Sequence, residues 1–287
     1  MRYLAVLGLV FLANSAATGD RPLPDLHPFL SEVRARLQTD AQRQYAYVYV
    51  ETQRRATLDK AGRRTGVSET VIESHPGFPG EARWERVIVR DGTRVSEGTL
   101  RQQDEERQRQ TNEYKQRLAR QTDADRATQE REWGQQRREL ADSVDDVFRV
   151  YEIVMLGREV VEGHNTIAFS LPPRPGARAI SEDGQWFRHF RGRAWISESD
   201  YELVRLEVEA IDDMDIGMGL LARVHKGTLA SFERRKVDGD VWLPTRATYT
   251  MSARVLLLKQ VRVAVTSEFS HYSRAAIAGP AHVTPTR

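Results

Sequence analysis

The feature that most constrains this chain is an alternation of period two running from Arg149 to Tyr272. Val204, Leu206, Val208 and Ala210 fall on one side of it, and Arg205, Glu207 and Glu209 on the other. The pattern returns at Tyr249, Met251 and Ala253, and again at Val261, Val263, Val265 and Phe269. Successive strand side chains point to opposite faces, so each run is a strand with one apolar and one charged face. Tyr151, Ile153 and Met155 begin the series, Glu162-Gly163 turns it, Thr166 to Leu171 returns, and Asp238-Gly239 turns a later pair. A meander of such strands predicts a mainly antiparallel β fold with helices (α+β), a curved sheet closed on itself or over a helix.

The first half is mixed. Leu26, Phe29/Leu30, Val33 and Leu37 recur at helical spacing behind Asp25, with Pro28 tolerated in the first turn. Tyr45, Tyr47 and Tyr49 then alternate with Ala46, Val48 and Val50 as a strand, and a partner is expected near Val67 to Ser74. Trp84 to Arg90, Asp91-Gly92 and Thr93 to Glu97 form a hairpin signal. Between Arg101 and Glu139 about half the residues are charged, nearly balanced in sign, with one Gly and no Pro. Thr122 and Asp125 mark a capping-box restart, so two helices are expected, about Leu100 to Arg120 and Ala124 to Phe148. The second ends on an apolar stripe of Trp133, Leu140, Val144 and Val147/Phe148. The first offers only Tyr114 and Leu118 and is expected to be a solvated arm. A short aromatic helix is expected at Trp186, Phe187 and Phe190, after the Pro172-to-Gly176 loop.

Composition fixes the compartment. Met1-Arg2, the uncharged apolar run Tyr3 to Ala13 and the small residues Ser15, Ala16, Ala17 and Gly19 read as a cleavable export signal. The run is shorter than the roughly 20 residues a membrane span needs, and no later window replaces it. A periplasmic location and no stable membrane span are therefore expected. The expected division is a signal peptide over 1–19, one domain over 20–274 with the helical insertion about 100–148, and a disordered tail over 275–287. The chain has no Cys, which removes disulfides, thiol catalysis and lipidation through cysteine. The formal charge of +2 is interspersed, and short clusters such as Arg234-Arg235-Lys236 suit strand ends, so no nucleic-acid partner is expected.

No nucleophile elbow, zinc-protease motif, P-loop or dinucleotide fingerprint occurs, and the seven His are scattered. Asp213-Met214-Asp215-Ile216-Gly217 starts like a calcium loop, but Val224 stands where the closing acid belongs. No enzyme activity, cofactor or metal is expected.

Two stretches carry a resemblance. Arg193 to Glu207, with Trp195-Ile196 before a turn and Val204-Arg205-Leu206-Glu207 after it, resembles a hairpin of outer-membrane lipoprotein-sorting (LolA/LolB-like) proteins. Asp238-Gly239-Asp240-Val241-Trp242-Leu243-Pro244 resembles a second turn-and-strand motif of that group, and the order of elements fits as well. The resemblance implies an eleven-stranded-type incomplete barrel closed by helices, with an apolar cavity for acyl chains. The charged insertion departs from the family's small carriers. Periodicity alone allows either a filled or a hollow barrel. If hollow, the expected ligand-lining residues are Tyr47, Tyr49, Trp84, Ile153, Leu206, Val208, Tyr249, Met251, Ala253 and Val263. The expected function is a periplasmic non-enzymatic carrier or chaperone for lipid or lipoprotein acyl chains. The alternative is an envelope sensor or scaffold that binds a protein partner through the charged arm.

Overall fold

The computed structural model describes residues 21–78, 83–216, 222–239, 241–255 and 259–275. The expected export signal, and the tail after Ala275, lie outside the described residues. Four helices and thirteen strands occur among those described: α1 (Leu26–Tyr45), β1 (Tyr47–Leu58), β2 (Arg64–His75), β3 (Trp84–Arg90), β4 (Thr93–Arg94), α2 (Glu97–Ala119), α3 (Asp123–Val150), β5 (Val154–Val161), β6 (His164–Leu171), α4 (Gly184–Phe187), β7 (Phe190–Ser197), β8 (Leu203–Ala210), β9 (Met214–Ile216), β10 (Ala222–Val224), β11 (Leu229–Val237), β12 (Val241–Val255) and β13 (Lys259–Arg274).

All strand pairs are antiparallel, and the sheet runs β4-β3-β2-β1-β13-β12-β11-β8-β7-β6-β5, with β9 and β10 attached through β12. On that path every pairing joins strands adjacent in sequence, save β8 with β11 and β1 with β13. The two terminal strands, β4 and β5, are themselves consecutive in the chain, separated only by α2 and α3. The sheet is thus an open meander, and the charged insertion connects its two edge strands. The antiparallel α+β class expected from the alternation is the fold observed, and the sheet is open, as the resemblance implied.

Local chemistry explains the boundaries. Ser96 caps α2 by accepting from Thr99 N at 3.2 Å, and Thr122 and Asp125 form the expected capping box of α3. Asp91, Glu162 and Asp238 hold positive φ ahead of Gly92, Gly163 and Gly239, the conformation that two-residue hairpin turns require. Cross-strand pairs lace the charged face, with Arg54 to Glu69 at 2.7 Å, Arg191 to Glu209 at 2.7 Å and Arg205 to Glu233 at 2.5 Å.

Several expectations are corrected. Helix α1 runs on through Tyr45, so that residue ends a helix instead of opening a strand. Tyr151 and Ile153 lie in the connection before β5, where Tyr151 bridges Pro173, and Phe190 opens β7. Helix α2 is docked at the sheet edge. Its Tyr114 is buried and stacks on Phe78 at 4.2 Å, and Arg107 lies 4.3 Å over the Phe78 ring. Gln103 on α2 accepts from Val87 N at 2.9 Å and donates to Val87 O at 3.1 Å, so it pairs with β3 much as a neighbouring strand would.

Candidate functional site

The largest core cluster lies between α1, the end of α3, and strands β6 to β8. Phe29 and Val33 of α1 are buried there with Ile167 and Phe169 of β6 and Ala194 and Ile196 of β7. The helix reaches this position because its apolar residues recur along one stripe. Phe29 packs on Phe169 at 5.8 Å and on Tyr201 at 5.2 Å between ring centroids.

Beside this cluster the packing opens into a cavity of about 600 Å³, well within the roughly 300–1,000 Å³ of small-molecule sites. Helix α1 lines it with Leu30, Val33 and Leu37, and α3 with Ser143, Val147 and Phe148. Tyr151 and Ile153 follow α3, while α4 and the residues beside it add Asp183, Trp186, Phe187 and Phe190. The sheet supplies Phe169, Leu171, Ala194, Ile196, Leu203, Leu206 and Val208. The wall is apolar save Ser143, Asp183 and the Tyr151 hydroxyl, which donates to Phe187 O at 2.8 Å. Burial pushes the Tyr151 phenol up to about 12, so it stays neutral.

Two devices hold the helical side. Asp146 of α3 is buried and accepts from Ile180 N at 2.9 Å, and from Ser181 N and Oγ at 2.7 Å each. Burial works to raise its pKa, but these donors prevail and hold it below the usual carboxylate range. A Cβ at Gly184 would stand 2.2 Å from Asp146 Oδ2, so only Gly lets α4 approach α3 this closely. Across the roof, Arg34 of α1 grips Asp145 of α3 in a fork, with Nε to Oδ1 at 2.7 Å and Nη2 to Oδ2 at 2.5 Å.

The expected lining residues divide. Ile153, Leu206 and Val208 stand on the cavity wall. Tyr47 is buried elsewhere, with Val241 and Leu243, and its hydroxyl donates to Asp238 at 3.1 Å. Tyr49 packs edge-on to Phe269 at 5.6 Å beneath Arg83. Trp84 faces His75 at 4.9 Å and Arg107 at 5.5 Å. Met251 packs on the small cluster of Ala210, Met214 and Val224, and Ala253 pairs with Val224. Val263, opposite Met251, is also buried away from the cavity. Tyr249 is 40 % exposed and is not on the cavity wall.

Val204 departs from the alternation. A β-bulge pairs Ile196 with Leu203 and Trp195 with Arg205, leaving Val204 as the extra residue. Val204 therefore turns to the opposite face, where it packs with Trp195, Ala168 and Trp242, while Leu203 joins Leu206 at the cavity. The helical half of the wall was legible as separate apolar stripes, but no sequence signal says which strands a stripe will cover.

The acidic run after Ile211 is engaged within the protein. Asp213 accepts from Lys226 N at 2.9 Å and meets His225 Nδ1 at 3.2 Å, and Asp215 pairs with Arg223 at 2.5 Å. Gly217 lies outside the described residues.

No protein-family model matches the chain, and no curated protein does. Among solved structures, it is similar to a DUF1329 family protein from Desulfovibrio piger, at 12 % identity over 87 % of this chain and 94 % of that one, with a TM-score of 0.28. It is also similar to an outer membrane lipoprotein-sorting protein domain from Vibrio parahaemolyticus, at 8 % identity over 85 % and 94 %, TM-score 0.29. A third is MucB in complex with MucA(peri), at 11 % identity over 86 % and 94 %, TM-score 0.25. Likeness at this level leaves ligand and partner to be read from the chain's own cavity.

Proposed function

We propose that this chain is an exported, periplasmic, non-enzymatic carrier or chaperone that takes an acyl chain of a lipoprotein, or of another lipidic cargo, into the cavity between α1, α3, α4 and β6–β8. The observation that carries this reading is the cavity of about 600 Å³ whose wall is apolar almost throughout. Each buried methylene contributes about 0.8 kcal/mol, so roughly ten of them supply about 8 kcal/mol before the cost of ordering the chain. Such binding needs no catalytic group. Export is read from the N-terminal sequence, and no helix among the described residues is long and apolar enough to cross a membrane.

Ala194 supplies the test, because it is a small residue on the cavity wall. Ala194→Phe is expected to weaken binding of a fluorescent fatty acid at least about tenfold, at a stability cost of no more than about 1–3 kcal/mol. A parent protein that binds no probe, or a variant that binds unchanged, contradicts the carrier. A scaffold reading rests on the exposed, charged outer faces of α2 and α3. The two readings part at the first step, since a scaffold requires no acyl binding by the parent.

A further inference from the structure

We propose that the pocket behind α4 binds the anionic head group of the amphiphile whose chain fills the cavity, a site that rests on the carrier reading. One flank of α4 gives Trp186 and Phe187 to the apolar cavity. The other flank, with the residue after it, gives Gly184, Gln185 and Arg188 to a second pocket of about 250 Å³, completed by Arg178 and Val150. The helix has four residues and so extends only about 6 Å. A ligand lying over the partly exposed Trp186 reaches from one pocket to the other.

The chemistry of the second pocket comes from its two arginines. Both are exposed, and neither has a carboxylate partner among the described residues. Arg188 Nε donates to His189 Nε2 at 3.2 Å, which leaves its terminal amino groups open. Several other arginines of the sheet and helices are paired with acids, as at Arg34, Arg54, Arg86, Arg158 and Arg223. The acids nearest this pocket do not serve it. Asp146 is held by the 180–181 backbone, His189 takes Asp212 at 2.6 Å, and Glu182 and Asp183 are exposed and bonded to neither arginine. Two arginines without a carboxylate partner, both lining one pocket, suit the oxygens of a phosphate or similar oxyanion.

The test is calorimetric titration with oleoyl lysophosphatidate, with mono-oleoylglycerol and with inorganic phosphate, using the parent protein and the double variant Arg178→Gln/Arg188→Gln. The parent is expected to bind lysophosphatidate about tenfold or more tightly than mono-oleoylglycerol. In the double variant that preference disappears, with mono-oleoylglycerol affinity unchanged. Equal affinity of the parent for the two lipids, or a preference that survives in the double variant, overturns the head-group site and leaves the carrier standing. Inorganic phosphate that binds as tightly as lysophosphatidate overturns it in favour of a free-anion site. Failure of the parent to bind either lipid overturns the carrier reading and the head-group site with it.

Discussion

Arg234 is 1 % exposed and sits between two buried acids, Asp40 of α1 at 2.6 Å and Glu202 at 3.7 Å, and it also donates to Trp242 O at 2.9 Å. Arg43 closes the group through Glu202. Burial pulls the Arg234 pKa down and pushes that of Glu202 up, the latter helped by the nearby Asp40 charge. This cluster fixes the C-terminal half of α1 to the sheet, and so sets where the first half meets the cavity. Arg234→Met leaves Asp40 and Glu202 buried without their cation, and is expected to cost about 3–5 kcal/mol by denaturant unfolding. A loss below about 1 kcal/mol contradicts the anchoring role. Asp200 behaves oppositely. Burial opposes its charge, yet Lys236, Ser197 and Trp242 hold it down to about 2. A carboxylate depressed on folding contributes stability above its unfolded pKa and loses it as pH falls through its folded one. The contribution, about 2 kcal/mol, is therefore complete above about pH 4 and fades toward pH 2. Asp200→Asn should flatten the stability profile over that window, and an unchanged acid slope refutes the assignment.

At the scale of elements, the helical insertion shows what composition conceals. A segment half made of charges reads as solvated because sparse apolar residues cannot build a face, yet buried Tyr114, the ring-stacked Arg107, Gln103 and the Asp104–Arg86 pair dock α2. Tyr114 stacked on Phe78 is expected to be worth about 3 kcal/mol, so Tyr114→Ala should lower the denaturant midpoint accordingly. An unchanged midpoint restores the solvated arm. The strands were legible because period two survives in their sequences, and the capping box and hairpin glycines marked their joints. What escaped was local breakage of that period. The bulge in β8 sends Val204 to one face and Leu203 to the other, although the run from Val204 to Ala210 alternates without interruption in the sequence. Bulges arise from pairing with a second strand, which one strand's residues do not record.

The molecule as a whole is an open meander whose two edge strands, β4 and β5, are joined in the chain by α2 and α3. The end of α3 roofs the cavity with α1, joined by the Arg34–Asp145 fork. The antiparallel sheet was readable from alternation and its openness from the family resemblance; the position of the cavity was not. The candidate lining residues scattered over three core clusters and the surface, because the hollow forms only where α1, α3 and α4 meet the β6–β8 end. Ile153, Leu206 and Val208 reach the wall because they belong to that end. The measurement that tests the cavity's role most directly is photocrosslinking with a diazirine-bearing palmitate, followed by peptide mass spectrometry. Adducts are expected on Leu30 to Leu37, Val147 to Ile153, Trp186 to Phe190 and Leu203 to Val208, and they should be competed away by unlabelled palmitate. Absence of specific adducts, or adducts centred on Tyr249 to Val265, contradicts an acyl site beneath α1 and α3.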